Sequence, residues 1–285
     1  MMLGAWRIRL WLKRRQRARL DRAAHAAVAA FPTIAQRRPH GLATPLIVNL
    51  TSYPARYPTL APTLRSLLDQ SLAADRTILW LAHQDVEVLP DAVRQLESHG
   101  LEVRSCDDLR SYKKLIPALT QWPEAIHVTA DDDVYYPPDW LAGLVGAHDP
   151  LRPSVIGWRA HLARASASGV LPYREWEMAT ARTEAEPGTA LFPTGIGGVL
   201  YPPGSLHPDV RDRAQFTALC PQGDDIWFYW MARRQGMRHR RVDGWIDFIE
   251  WPASQQAGLR VDNIERDGND RQIQAMEAVY GPFPL

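Results

Sequence analysis

Cysteine is scarce in this chain, with two residues, Cys106 and Cys220, among 285. Two distant thiols make neither a metal-ligand spacing nor a disulfide framework, and so few suit a reducing compartment. No apolar run approaches the roughly 18 residues that a membrane-spanning helix needs. The opening stretch MMLGAWRIRLWLKRRQRARL lacks the long apolar core and small-residue cleavage site of a signal peptide, so the chain is expected in the cytoplasm. The sequence contains no P-loop, no HExxH and no nucleophile-elbow serine, which excludes the chemistries those motifs carry. The run Gly195-Ile196-Gly197-Gly198 is no dinucleotide fingerprint, because Leu200 stands where a third glycine belongs. It reads as a bulge, or as a place where backbone approaches a ligand closely.

What is present begins with an uneven charge. The net formal charge is only +1, yet residues 1–38 hold ten Lys/Arg and one acid, Asp21. The rest of the chain is therefore acidic, which argues against a nucleic-acid-binding body and suggests an anionic surface as partner for the head. Residues 1–30 read as one helix, in which Trp6, Leu10 and Leu20 can form an apolar stripe beneath Arg7, Arg9, Lys13, Arg14, Arg15, Arg17 and Arg19. Such a helix can lie on an anionic membrane, holding the protein peripherally on the inner face of the cell membrane. A disordered basic tail, or a helix packed on a partner, reads equally from these residues. Phe31 to Pro45, with three prolines and a glycine, looks like a linker.

From Pro45 onward, strand and helix alternate. Strands are predicted at 45–50, 77–81, 101–105, 125–130 and 155–158, and helices at 59–72, 91–98, 114–122 and 139–147. That alternation implies parallel strands and a doubly wound sheet. Residues 159–190 show no clear period and read as an irregular excursion. A glycine-broken strand (191–203), a helix (224–235), strands at 238–242 and 246–250, and a polar tail complete the pattern.

The chemistry centres on Asp131-Asp132-Asp133, three carboxylates at the end of the strand Ala125–Ala130. They repel one another unless a cation or solvent compensates, and ligands in open α/β sheets bind beyond the carboxyl ends of strands. A hard divalent ion sharing its coordination with water and a diphosphate would satisfy both facts. A solvated acidic turn capping the next helix is the plainer alternative. Thr51-Ser52-Tyr53-Pro54-Ala55-Arg56, after the first strand, offers a flat ring for a base and a guanidinium fork for phosphate. Read plainly, it is a rigid turn with a surface charge. Lys113 and Lys114 open a helix nearby and could meet a diphosphate or simply be solvated. In Gly223-Asp224-Asp225, one aspartate can cap the helix, leaving the other as a general base for an attacking hydroxyl.

Taken together, TSYPAR after a strand, LRSLLDQSL, a strand ending in DDD, GIGGVLYPP and GDDIW resemble the GT-A glycosyltransferases. The likeness is strongest to family-2-like bacterial enzymes of surface-polysaccharide synthesis. It covers residues 45–250 and implies a GT-A α/β domain over 45–285, preceded by the basic element 1–38. The resemblance matches Asp131 and Asp133 to a DXD site for Mn²⁺ or Mg²⁺, and Asp225 to the base of inverting members. Thr51, Tyr53 and Arg56 match the nucleotide loop; Lys113, Lys114, Asp132, Gly197 and Gly198 are the further donor-binding candidates. A nucleotide-sugar donor, a UDP-sugar first among them, and a glycan or lipid-linked acceptor are thereby expected. The acidic pair departs from the family's commoner Glu-Asp, and no histidine follows His239 to complete a metal site, although Asn269-Asp270 could stand in. A sugar-1-phosphate nucleotidyltransferase and a non-catalytic carbohydrate-binding or scaffold protein are the alternatives. The former would show a glycine-rich loop after its first strand, which TSYPAR is not.

Overall fold

The computed structural model describes residues 2–167, 169–252 and 267–285, with side chains from Trp11 onward except Lys13. Its centre is a parallel set of strands: β1 (Leu46–Thr51), β2 (Arg76–Ala82), β3 (Leu101–Cys106) and β4 (Ile126–Ala130). β1, β2 and β4 are buried on both faces, so β1 and β2 are mostly apolar and the polar residues of β1 and β4 need partners inside the fold. Three later strands, β6 (Ser154–Gly157), β10 (Val199–Tyr201) and β11 (Arg238–Arg241), extend the sheet beyond β4. The seven-stranded order is β11-β6-β10-β4-β1-β2-β3, and β10 alone runs against its neighbours. The expected α/β architecture, a mostly parallel sheet between helical layers, is thus observed. After β1 the chain steps outward through β2 to β3, then returns to place β4 on the other side of β1. The strand order reverses between β1 and β4, and it is in the crevice beyond the strands' carboxyl ends at such a switch point that open α/β sheets bind their ligands.

On one face, α2 (Tyr57–Leu68) and α5 (Trp140–Ala147) cover β1 and β4, with Leu60, Leu64 and Leu144 completely buried against Leu46, Val48 and Val128. Each such leucine contributes about 1.5–3 kcal/mol. Over the other face lie α4 (Ile116–Gln121), α6 (Arg213–Leu219) and α7 (Asp224–Arg234). The polar residues of β1 and β4 on that face are mutually satisfied. Trp80 donates to Asn49 Oδ1 at 3.1 Å, and Asn49 donates to His127 Nδ1 at 3.3 Å. His127 Nε2 lies 2.9 Å from the Trp122 carbonyl, and burial depresses the imidazole to about 4, so it stays neutral.

The chain departs from the sequence-based expectations in several places. Residues 159–190 are not irregular throughout: β7 (Ala160–Ser166) and β8 (Gly169–Val170) join β9 (Thr189–Pro193) in a three-stranded sheet. The supposed polar tail contains α8 (Gly268–Tyr280), which buries Ile273 and Met276 against α7. α2 starts at Tyr57, with Pro58 in its first turn as a helix start favours. It stops at Leu68, because Asp69 turns to accept from the Thr33 and Ile34 amides at 3.1 and 2.9 Å. The strand expected at 246–250 shrinks to β12 (Ile249–Glu250), paired with β5 (Val134–Tyr135).

The first helix, α1 (Met2–Ala29), is continuous, as expected. Trp6, Arg7, Arg9, Leu10 and Lys13 of the expected stripe lie outside the described side chains. Trp11 and Leu12 are 52% and 53% exposed, among exposed arginines. The later turns dock on the body, where Ala24 and Val28 form a buried cluster with Ile249 and Trp251. The stretch read as a linker is also held, since Arg38 exchanges backbone hydrogen bonds with Ser71 and Ala73.

Candidate active site

The crevice between β1 and β4 collects the acidic residues. Asp131, Asp132 and Asp133 follow β4 directly, while the turn Pro54–Arg56 after β1 projects Arg56 toward them. Arg56 donates to Asp133 Oδ2 at 2.5 Å and stands 3.9 Å from Asp132. Ser52 donates to Asp132 Oδ2 at 2.5 Å. Burial pushes the Asp132 carboxyl up to about 6, against the pull of Ser52 and Arg56. Burial opposes the charge of Arg56, but its bond to Asp133 and the negative charges of Asp132 and Asp133 together outweigh this and raise its pKa. Arg56 is therefore a counter-ion of the triplet, rather than the free surface fork the sequence allowed. The Thr51 hydroxyl donates to the Trp80 carbonyl at 2.8 Å and so braces the strand end. Tyr53, which precedes the Pro54–Arg56 turn, is 39% exposed.

Across the sheet, the turn Gly195–Gly197 leads into antiparallel β10 and thereby reaches the carboxyl end of β4. A Cβ on Gly195 would lie 3.0 Å from Lys114 Nζ and 3.3 Å from both Asp131 Oδ1 and Asp225 Oδ1. Three charged side chains from three elements therefore converge on one point, and any residue larger than glycine would push them apart by a few tenths of an ångström. Asp225 Oδ2 also accepts from the Gly195 amide at 3.0 Å. Lys114 is buried between two carboxylates, 3.2 Å from Asp131 and 2.8 Å from Asp224. Desolvation works against its charge, and Asp131, Asp224 and Asp225 overcome it, raising the pKa well above that of a free lysine.

Five carboxylates thus face the two cations that pair with them. The imbalance falls on Asp131, raised chiefly by burial, and on Asp225, raised to about 7 by burial and then by Asp224. Such a site accepts additional positive charge readily. Among the described residues no three His, Cys, Asp or Glu side chains form a closed metal cage. A hard divalent ion that takes one or two carboxylates, with water and a diphosphate, requires no such cage. The strand-end pair Asp131 and Asp133, with its hard oxygen donors and unbalanced charge, fits that kind of ion.

Several expectations need correction. Lys113 and Lys114 do not act together: Lys113 is buried against Asp108 at 2.7 Å, away from the acidic group. They close a short 3-10 turn, Arg110–Lys114, rather than open a helix. Asp224 does not cap α7: Gly223 occupies the cap position and no side chain caps the helix. Gly197 and Gly198 serve packing. A Cβ on Gly197 would strike the Arg159 amide at 2.8 Å, and one on Gly198, at φ +77°, would strike the Trp140 ring at 2.4 Å. Asn269-Asp270 does not reach the triplet's cations; Asp270 accepts from the Tyr173 amide at 2.7 Å. Sequence reasoning missed Ser52 and Gly195. It also missed Tyr136, whose hydroxyl accepts from the Asp131 amide at 2.7 Å. Gly195 was marked only by belonging to a glycine run.

No family model matches the chain, and no curated protein matches it by sequence. Solved structures match it by shape. A mannosyltransferase from Pyrobaculum calidifontis, in complex with GDP-Man and Mn²⁺, aligns with a TM-score of 0.54 at 16% identity, covering 97% of this chain and 76% of that one. A 4-diphosphocytidyl-2C-methyl-D-erythritol synthase gives 0.46 at 14% identity, covering 79% and 100%. A putative glucose-1-phosphate thymidylyltransferase from Bacillus anthracis gives 0.42 at 14% identity, covering 79% and 96%. At these identities the likeness is one of fold. The chain has the mixed α/β architecture, Rossmann-like with a mostly parallel sheet, that the mannosyltransferase also has.

Proposed function

We propose that this protein is a metal-dependent glycosyltransferase that moves a sugar from a nucleotide-sugar donor to an acceptor hydroxyl with inversion. The observation that carries the reading is the convergence of Asp131, Lys114 and Asp225 on Gly195, at the switch point between β1 and β4. Asp131 and Asp133 would hold Mn²⁺ or Mg²⁺, which when bound supplies Lewis-acid stabilisation of a leaving diphosphate. Tyr53, beside the Pro54–Arg56 turn, offers its exposed ring to the donor's base. Lys114 places a fixed positive charge beside the same centre, where negative charge builds on the leaving group.

Asp225 is the better base of the acidic pair. Asp224 is buried and bound to Lys114, whereas Asp225 touches the point of convergence, and burial and its neighbour Asp224 raise its carboxyl toward the range where a general base works best. With Oδ2 held by the Gly195 amide, Oδ1 is positioned to take the proton of an acceptor hydroxyl. The acceptor, a glycan or a lipid-linked sugar, would approach over the three-stranded sheet, whose strand β9 leads into the Gly195 turn. A lipid-linked acceptor suits the exposed turns of α1, where Trp11 and Leu12 stand among Arg14, Arg15, Arg17 and Arg19. Trp245, 61% exposed, lies in the neighbouring loop that Arg17 contacts through the Phe248 carbonyl.

The test is hydrolysis of a panel of nucleotide sugars with Mn²⁺ or Mg²⁺ and no acceptor. Release of nucleoside diphosphate and free sugar is expected, UDP-sugars first, with Asp225→Asn binding UDP normally and losing 10²–10⁴-fold in kcat for transfer. Formation of a nucleotide sugar from nucleoside triphosphate and sugar phosphate would assign the site to nucleotidyl transfer instead. No turnover of either kind would leave a carbohydrate-binding or scaffold role.

A further inference from the structure

The acidic triplet is held from behind by one residue far away in sequence. The Trp251 amide donates to the Asp133 carbonyl at 3.0 Å, and its indole N–H donates to Thr63 Oγ1 at 2.9 Å. Thr63, completely buried in α2, passes the link on by donating to the Asp132 carbonyl at 3.0 Å. Two consecutive carbonyls of the triplet are thus fixed by Trp251 and its hydroxyl partner. Just beyond the triplet, β5 pairs with β12, Val134 opposite Glu250, so the loop is pinned on both sides.

Trp251 is in turn clamped by the first helix. His25 of α1 lies tilted against it, with ring centroids 5.1 Å apart, Tyr135 meets it edge-on at 6.2 Å, and Ala24, Val28 and Ile249 close the buried cluster. We propose that Trp251 is a positioning residue for the metal- and donor-binding loop, acting through Thr63, and that the docked half of α1 belongs to the active-site scaffold. The head is then not separable from the catalytic body, although charge alone divides the chain there. The triplet's carboxylates repel one another, so a loop without this backing relaxes outward; held by it, Asp131 and Asp133 stay preorganised for a cation.

The role in donor binding rests on the glycosyltransferase reading; the backing itself does not. Thr63→Val keeps the shape but removes the hydroxyl link, Thr63→Ser restores it, and Trp251→Phe keeps the ring but loses the indole donor. Two readouts apply: hydrogen exchange of the residue-251 amide in protein without ligand, and titration with UDP plus Mn²⁺, with GDP as a second probe. Thr63→Val and Trp251→Phe are expected to exchange at least fivefold faster and bind UDP–Mn²⁺ at least fivefold more weakly, while Thr63→Ser stays within twofold of wild type. Wild-type exchange in both disruptive variants would overturn the backing. Faster exchange with unchanged affinity would overturn the positioning role and leave a merely structural one. If the wild-type protein binds neither nucleotide, the glycosyltransferase reading fails, and exchange alone decides the backing. Should Thr63→Val fail to fold, the same outcomes apply to Trp251→Phe.

Discussion

The substitution Asp225→Asn isolates the electrostatic strain of the acidic group. In the folded protein this carboxyl is raised from an ordinary 3.8 to about 7. A folded-state value above the unfolded one means that the native state prefers the protonated acid. The native state therefore bears no penalty below pH 3.8, a growing one between 3.8 and 7, and the full one above 7. At about 1.4 kcal/mol per pH unit, the full penalty is at most about 4.5 kcal/mol, or roughly 2–4 after allowance for partial solvent access. Asparagine removes the charge and keeps a carbonyl oxygen for the Gly195 amide. In a chelating buffer without nucleotide, the variant should melt higher than wild type at pH 8, by roughly 4–8 °C at about 2 °C per kcal/mol. At pH 5, where the native carboxyl is protonated, the gain should fall to less than half of that. Thermal melts of both proteins at the two pH values decide the matter. An equal gain at pH 5 and pH 8, or a lower melting temperature at pH 8, would refute the account of a strained, uncompensated cluster.

The glycines should separate by role. Gly195→Ala puts a methyl group where Lys114, Asp131 and Asp225 converge, and is expected to abolish UDP–Mn²⁺ binding while lowering stability by less than about 2 kcal/mol. Gly198→Ala faces both a left-handed backbone and the Trp140 ring, and should destabilise by about 3 kcal/mol or more in chemical unfolding. The exposed turns of α1 should bind vesicles of anionic lipid at low salt and release them as salt screens the arginines. Removing residues 2–16 should end sedimentation with such vesicles while sparing donor hydrolysis, because the docked turns around Ala24 and Val28 remain.

How far the sequence could be read depended on what kind of signal each element carries. β4 and the triplet were legible because an apolar run ending in three acids has few folded explanations. The sheet was legible because strands buried on both faces are mostly apolar. α8 was not, since its buried face combines Ile273 and Met276 with Asn269 and Gln272, and a stripe half made of amides looks like a tail. β7 was hidden in the same way: Ala160, His161, Leu162 and Ala163 are all buried, so no alternation marks the strand. Adjacent lysines give the sequence no means of telling which faces which partner. Lys113 and Lys114 point to different carboxylates because a 3-10 turn rotates successive side chains by about 120°. The glycine on which Lys114, Asp131 and Asp225 converge is Gly195, a fact hidden from the sequence because what surrounds a missing Cβ is set by tertiary structure. The Asp224 cap failed for a local reason: Gly223 took the position, and Lys114, remote in sequence, took the carboxylate.

The junction of β9 and β10 has a consequence for how this protein can change. β9 belongs to the three-stranded sheet, β10 lies between β4 and β6 in the main one, and only five residues, 194–198, join them. Those residues include the amide that holds Asp225. A lineage could therefore vary the exposed positions of residues 160–190, altering the surface over which an acceptor would arrive, as long as the buried Tyr173 and Trp176 and the corner that re-enters the main sheet stayed fixed. Exchange of that lobe between relatives would succeed or fail at its seam, at Gly197 and Gly198, where an added methyl group has no room, and at Gly195, where it would displace three charged side chains. Variation and constraint are in this way assigned to opposite ends of a single strand.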